Sequence, residues 1–235
     1  MILARTIRSS DDQFFQWSIV IAPPVFCVLL LALALTNEGV YDFLTREDSI
    51  LEYIQVIFFA AAMFYAGALA YRLFSTQKLF WAMAYGLLAF LLFLVVGEEI
   101  SWGQRLLGIS TPEYIAAENS QGEINIHNHV LLQRHNGTFF KFGTVAGILW
   151  VCLGVALVRR GLAGPHAALW FPKPSMLIPL FCVAAYQFAG GPLREVYVES
   201  VWLISRYQEV AEVIMAFGVM AFLITAYRAI PSKAG

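Results

Sequence analysis

Leu79-Phe80-Trp81-Ala82-Met83-Ala84-Tyr85-Gly86-Leu87-Leu88-Ala89-Phe90-Leu91-Leu92-Phe93-Leu94-Val95-Val96, followed at once by Gly97-Glu98-Glu99-Ile100-Ser101-Trp102-Gly103-Gln104-Arg105, decides the fold. Eighteen consecutive uncharged residues make a helix of about 27 Å at 1.5 Å per residue, close to the ~30 Å hydrocarbon core of a bilayer. The run then stops on two adjacent carboxylates and an arginine. This reads as a membrane helix whose end carries a polar site where lipid meets water.

Composition generalises the reading. Sixty per cent of the residues are hydrophobic and 13% charged, against about one quarter charged in soluble domains. The apolar runs are continuous and do not alternate with period two, so helices satisfy the backbone in lipid where a barrel pattern is missing. The expected fold is therefore all-α: a polytopic membrane helical bundle, one integral membrane domain over residues 1–235. Six spans are expected, near residues 14–36, 51–73, 79–96, 139–158, 176–190 and 210–230. The fifth is short, follows Pro172 and Pro174, contains Pro179 and ends in Gly190-Gly191-Pro192, which predicts a tilted, kinked or partly re-entrant segment. Pro23-Pro24 should bend the first.

Basic residues set the orientation. Arg5, Arg8, Arg72, Lys78, Arg159, Arg160, Lys173, Arg228 and Lys233 fall on the face shared by the two termini, with Asp11 and Asp12 as its acids. That face is expected to be cytoplasmic, with both termini inside and the long third-to-fourth connection outside. The other face gathers Glu38, Asp42, Glu47, Asp48, Glu52, Glu98, Glu99, Glu113, Glu118, Glu123, Glu195, Glu199, Glu209 and Glu212, together with the remaining basic residues Arg46, Arg105, Arg134, Lys141, Arg194 and Arg206. Beyond this topogenic bias there is no basic patch, so nucleic acid is not an expected partner. Cys27, Cys152 and Cys182 lie inside spans and predict neither a disulfide nor a thiolate metal site. The first run is too long for a cleavable signal and is expected to be retained as a helix.

The polar connection carries the candidate chemistry. If the third helix continued past Val96, Glu98, Ser101, Trp102 and Arg105 would share one face and Glu99 would point about 100° away. Ser110 or Thr111 is expected to cap a short interfacial helix with Pro112 in its first turn and Glu113 at its positive end. Gln121 to His129 alternates: in an extended chain Glu123, Asn125, His127 and His129 share one face, with Ile124, Ile126, Asn128 and Val130 on the other. His127 and His129 are metal-ligand candidates, with Glu98 and Glu123 able to complete the sphere of a divalent ion. The His-x-His spacing permits a metal without identifying one, since no His-Glu-x-x-His accompanies it. His135, beside Asn136-Gly137, reads as a solvated turn residue.

Other acids can reach the same face. Thr45-Arg46-Glu47-Asp48 reads as a helix N-cap with acids in the first turn. Glu52, one turn into the second span and sharing a face with Gln55, could project toward Glu98 or Glu99 if the second and third helices pack antiparallel. Glu195 and Glu199 with Trp202 suggest an interfacial helix. In the sixth span Glu209 reads as a helix-dipole partner, whereas Glu212 sits deeper and suits an inward role.

Taken together, Glu98 to Arg105, Thr111 to Glu113, Gln121 to Asn128 and Glu47 to Glu52 resemble a group of uncharacterised bacterial multi-pass inner-membrane proteins. The resemblance implies a bacterial inner (cytoplasmic) membrane location and no activity. A more distant analogy is to ceramidase-like intramembrane metal-dependent hydrolases, whose Ser, Asp and three-His pattern is not assembled in this chain. Two function classes follow from the residues. In one, a metal-dependent hydrolase or transferase acts on a lipid or lipid-linked substrate, with Glu98 or Glu99 as general base and Arg105 holding an anionic head. In the other, a transporter, channel or membrane-complex subunit uses Glu52, Glu98 and Glu212 for cation or proton binding, or uses the acidic cluster for structure, with Glu98-Arg105 and Glu123-Arg134 as salt bridges that order the loop. The remaining polar groups of the site would be Ser101, Trp102, Gln104, Asn125 and Asn128.

Overall fold

In the computed structural model, residues 10–46, 49–126, 128–164, 166–196 and 207–230 are described. The helices are α1 Ser10–Thr36, α2 Glu38–Thr45, α3 Ile50–Ser75, α4 Leu79–Glu99, α5 Gln104–Leu107, α6 Glu113–Ala116, α7 Val130–Arg159, α8 Ala167–Trp170, α9 Leu177–Val196 and α10 Tyr207–Ala229. Short 3-10 turns occupy Ser101–Gly103 and Pro174–Met176. Among the described residues the one extended pairing is an isolated bridge between Asn119 and His129, so the chain is all-α. Among the described residues six helices are long and apolar enough to cross a membrane.

Helix directions give the bundle two ends. Helices α1, α4 and α9 run away from the end where α1 starts and α10 finishes, called the terminal end here; α3, α7 and α10 run back toward it. The opposite end carries the residue 100–129 connection and is called the loop end here. The turn from α3 to α4 shows how the reversals are made. Gln77 takes a left-handed φ of 59° and the Lys78 N–H reaches back to the Leu73 carbonyl at 2.9 Å, closing the orphan carbonyls of the helix end.

Helix α10 is the hub. Half of its apolar window is buried, against 17–28% in the other five spans. Val210, Ala211, Ala216, Ala221, Leu223 and Ala226 on α10 are inaccessible, as are Ala62, Ala66, Leu69 and Leu73 on α3. Small residues let two backbones approach where hydrocarbon solvent supplies no hydrophobic drive, so van der Waals contact holds the pair. Helix α4 packs chiefly on α3, while α9 packs on the other flank of α10 and carries α7 and α1 against it. Large apolar side chains such as Phe64, Leu87 and Phe142 stay exposed on the outer surface, as a lipid-facing surface requires.

Polar locks pin the terminal end. The Arg72 guanidinium donates to the Tyr227 and Ile230 carbonyls at 3.1 and 3.0 Å and to the Tyr227 hydroxyl at 2.6 Å. It also lies 3.7 Å over the Tyr227 ring. A cation thus caps the last carbonyls of α10, where the helix dipole favours positive charge. Tyr85 on α4 donates to the Leu169 carbonyl at 2.8 Å, tying α8 to the bundle.

Several expectations are corrected. Helix α4 does not continue past Glu99: Ser101, Trp102 and Gly103 have φ of 46°, 55° and 75°, so Glu98, Ser101, Trp102 and Arg105 do not share one helical face. Helix α7 begins at Val130, placing Asn136-Gly137 and His135 inside a helix and not in a turn, with the His135 ring 6.5 Å from Phe139. Helix α9 runs through Gly190-Gly191-Pro192 to Val196 and is a full 20 residues. Thr45 closes α2 and does not cap α3, whose N-cap is Ser49. Glu47, Asp48, Glu199 and Trp202 lie outside the described residues, as does the Glu195 side chain.

Candidate functional site

The three left-handed residues after α4 turn the chain through a corner that ordinary residues resist. Each non-glycine residue in this region costs about 1–2 kcal/mol, so surrounding contacts must hold the corner. They are present. Trp102 folds back so that its ring fills the space over Gly97, where a Cβ would stand 2.7 Å away. It meets Phe93 edge-on at 6.0 Å and donates from Nε1 to Glu98 Oε1 at 2.8 Å. Gly97 is thus a packing requirement of the motif.

Beneath this corner the connection folds into a knot of amides, acids and hydroxyls. Ser101, 2% exposed, donates through Oγ to Glu123 Oε2. Asn125 Nδ2 donates to Ser101 Oγ at 2.9 Å and to Glu123 Oε2 at 2.8 Å. Asn119 accepts from the Gln121 and Glu123 main-chain N–H groups through Oδ1 and donates to the Asn125 carbonyl and side-chain oxygens through Nδ2. Asn128 Nδ2 donates to Gln121 Oε1 at 2.6 Å. Gln104 bridges the two halves, donating to Thr111 Oγ1 and accepting the Ile124 N–H at 2.7 Å. Glu98 accepts the Ile126 N–H through its second oxygen at 2.5 Å.

This knot revises the expected roles. Glu123 and Asn125 do point inward together, as alternation predicts, but Asn128 is buried as well and Ile126 is exposed. The segment bends and is no strand. Glu98, expected as a metal ligand, accepts loop donors on both oxygens, and Glu123, expected likewise, accepts two on Oε2. His129 caps α7 through Nδ1, accepting the Leu131 N–H at 3.3 Å, and its Nε2 lies 3.3 Å from Glu118. It is not gathered with Glu98 and Glu123. Among the described residues no group of three or more His, Cys, Asp and Glu side chains is disposed to hold a metal ion. His127 and the Arg105 side chain lie outside the described residues.

The other member of the opening pair goes elsewhere. Glu99 points into the junction of α3, α4 and α10, where it interacts electrostatically with Glu212, Glu52 and Glu209, in decreasing order, and hydrogen-bonds Gln55. Gln55 is 2% exposed and is shared: it hydrogen-bonds Glu212 too. Gln208 Nε2 donates to Glu212 Oε1 at 2.8 Å. Glu99 and Glu212 therefore share one buried amide, and Glu52 and Glu209 act on Glu99 electrostatically. The antiparallel α3–α4 pair makes this possible, bringing the first turn of α3 level with the last turn of α4. Parallel packing of α3 and α10 then aligns Glu52 with Glu209 and Glu212.

The sequence groups Glu52, Glu98 and Glu212 as a cation or proton site and points Glu52 toward Glu98 or Glu99; in the structure Glu99 interacts with Glu52 and Glu212, and Glu98 is held in the loop. Sequence reasoning understated Gln55, whose signal was a lone amide in an otherwise apolar run, and assigned Glu209 to a dipole role alone. Asn119 was not singled out, although it organises the loop. The chain matches no family model, no curated protein and no solved structure.

Proposed function

We propose that this multi-pass membrane protein binds a proton or a small cation at the Glu52, Glu99, Glu209 and Glu212 cluster. In this reading it works as a transporter, channel or membrane-complex subunit whose coupling or gating step is charge neutralisation at that site. The sharing of Gln55 by Glu99 and Glu212, with Glu52 and Glu209 acting on Glu99 electrostatically, carries the reading. Like charges gathered where helices pack repel one another, and a shared proton or a bound cation relieves that repulsion. Ionisable groups inside a membrane bundle mark such pathways more often than they mark structure.

The loop end is periplasmic in this proposal and the membrane is the bacterial inner membrane. Arg72, Lys78, Arg159, Arg160, Lys173 and Arg228 all sit at the terminal end, which supports that orientation under the positive-inside bias. A metal-dependent lipid hydrolase or transferase uses the same membrane face. Of its expected residues, Glu98 and Glu123 accept loop donors, which favours the cation or proton site, where Glu99 takes part.

Carbodiimide labelling tests the proposal, because such reagents attack protonated carboxyls in apolar surroundings. Full-length protein in liposomes should label at Glu99 or Glu212, and labelling should fall as pH rises or as a competing cation is added. Labelling confined to Glu98 and Glu123, or none at any pH, would overturn it.

A further inference from the structure

The seam between α7 and α9 holds a polar pair inside two apolar spans. Thr144 and Gln187 are 3% and 4% exposed. Thr144 Oγ1 donates to the Phe140 carbonyl at 2.9 Å and lies 3.1 Å from Gln187 Oε1. The other half of that amide, Gln187 Nε2, is buried without a hydrogen-bond partner. A donor left unpaired within a membrane is expensive, because no bulk water is at hand to take it. It calls for an acceptor oxygen that the chain does not supply.

A cation stands beside this pair. Lys141 lies one turn before Thr144 on α7 and is half-buried. Its Nζ is 5.8 Å from the ring centre of Phe188, the residue after Gln187. Among the described residues no carboxylate pairs with it. Lys141 and Arg159 are 18 residues apart, about 27 Å along a helix, so the two cations bracket a hydrocarbon core and Lys141 stands at the headgroup level of the loop end. From there toward the terminal end the surface is apolar. Val145 and Cys152 follow Lys141 at i+4 and i+11, on the same face of α7, and both are exposed. Phe188 and Phe181, seven residues apart and also exposed, form the matching strip of α9.

We propose that the α7–α9 seam binds a long-chain carboxylate, one oxygen accepting from the Lys141 ammonium and the other from Gln187 Nε2, with the hydrocarbon chain lying along Val145, Cys152 and Phe181. One cation and one amide donor match the single charge and two oxygens of a carboxylate. A zwitterionic head would bring its own cation to Lys141. Gln187 Nε2 is closed off in this structure, so the carboxylate seats as α7 eases away from α9, the span against which α7 chiefly packs. The site stands independently of the carboxylate cluster.

Equilibrium binding of radiolabelled oleate to the full-length protein in neutral detergent tests it. Binding should saturate, and unlabelled oleate should displace the label. Methyl oleate, which lacks the charge, and acetate, which lacks the chain, should not do so at equal concentration. Lys141→Gln and Gln187→Leu should each weaken binding about tenfold, the effect of losing a hydrogen bond to a charged group. Gln187→Glu, which sets a like charge against the ligand, should abolish it. Gln187→Leu removes an unpaired buried donor and should melt at or above the parent, so its loss of affinity reports the site and not the fold. Lys78→Gln, at the terminal end, should bind as the parent does. Equal displacement by methyl oleate, or unchanged binding in both Lys141→Gln and Gln187→Leu, would overturn the proposal. So would full displacement by acetate, which would mark an anion site with no use for the chain.

Discussion

The Trp102 ring occupies the place that a side chain on Gly97 would need, with its nearest atom 2.7 Å from where a Cβ would stand. Gly97→Ala should therefore lever the indole away from Phe93 and break its bond to Glu98. Overpacking of this kind costs about 1–3 kcal/mol. A lower melting temperature in detergent and a shift in Trp fluorescence are expected; an unchanged melting curve would show that the corner has room that the geometry denies.

Substitutions at the cluster should separate stability from function. Gln55→Leu removes the amide that serves both Glu99 and Glu212, and a buried polar group left without its partner costs about 1–3 kcal/mol. Glu212→Gln removes one like charge among four and keeps a hydrogen-bonding group. The first variant should melt lower and keep its carbodiimide labelling at Glu99, because the lost amide hydrogen-bonds that carboxylate; the second should melt at or above the parent and label less at Glu99, because one repelling charge is gone. A marked loss of stability in Glu212→Gln would mean that the carboxylate is structural.

The loop knot supplies a contrasting case. Asn125→Leu deletes donors to Ser101 and Glu123 and acceptors for Asn119 and Asn128. Proteolysis within residues 108–129 should accelerate markedly, while the spans remain folded by circular dichroism. Labelling at Glu99 should persist, because that carboxylate faces a different set of helices. Loss of both together would make the knot and the cluster one cooperative unit.

How much of this was legible beforehand follows from range. The spans came from hydrocarbon thickness and composition, which are local, and a helix of 18 apolar residues has few alternatives. The split of Glu98 from Glu99 also came from local geometry, since 100° per residue sends neighbours to different partners. Which carboxylate faced which partner did not. That depended on α10 returning parallel to α3, a pairing 160 residues apart that nothing near Glu99 encodes. The corner at Ser101 and Trp102 was hidden for a related reason: φ above zero in non-glycine residues is imposed by the tertiary bonds of Glu123, Asn125 and Gly97. The His-x-His reading weighed side-chain chemistry without the cap at α7, where His129 turns out to be employed.

The α1–α9 contact offers a test of the packing that needs no knowledge of activity. The Tyr186 hydroxyl donates to the Cys27 carbonyl at 3.1 Å, and one turn earlier on α9 the Cys182 thiol is hydrogen-bonded to that of Cys27. Both thiols are free, whereas Cys152 on α7 is exposed and belongs to another face. A membrane-permeant two-electron oxidant should therefore join Cys27 to Cys182, each thiol losing its proton and the pair giving up two electrons to form one S–S bond. Peptide mapping should find this bond within one chain, and Cys152→Ala should leave it intact. Formation of Cys152-linked dimers in place of the intrachain bond would show that α1 and α9 do not pack in this register. It would also remove the scaffold that seats α9 against α10 beside the carboxylate cluster.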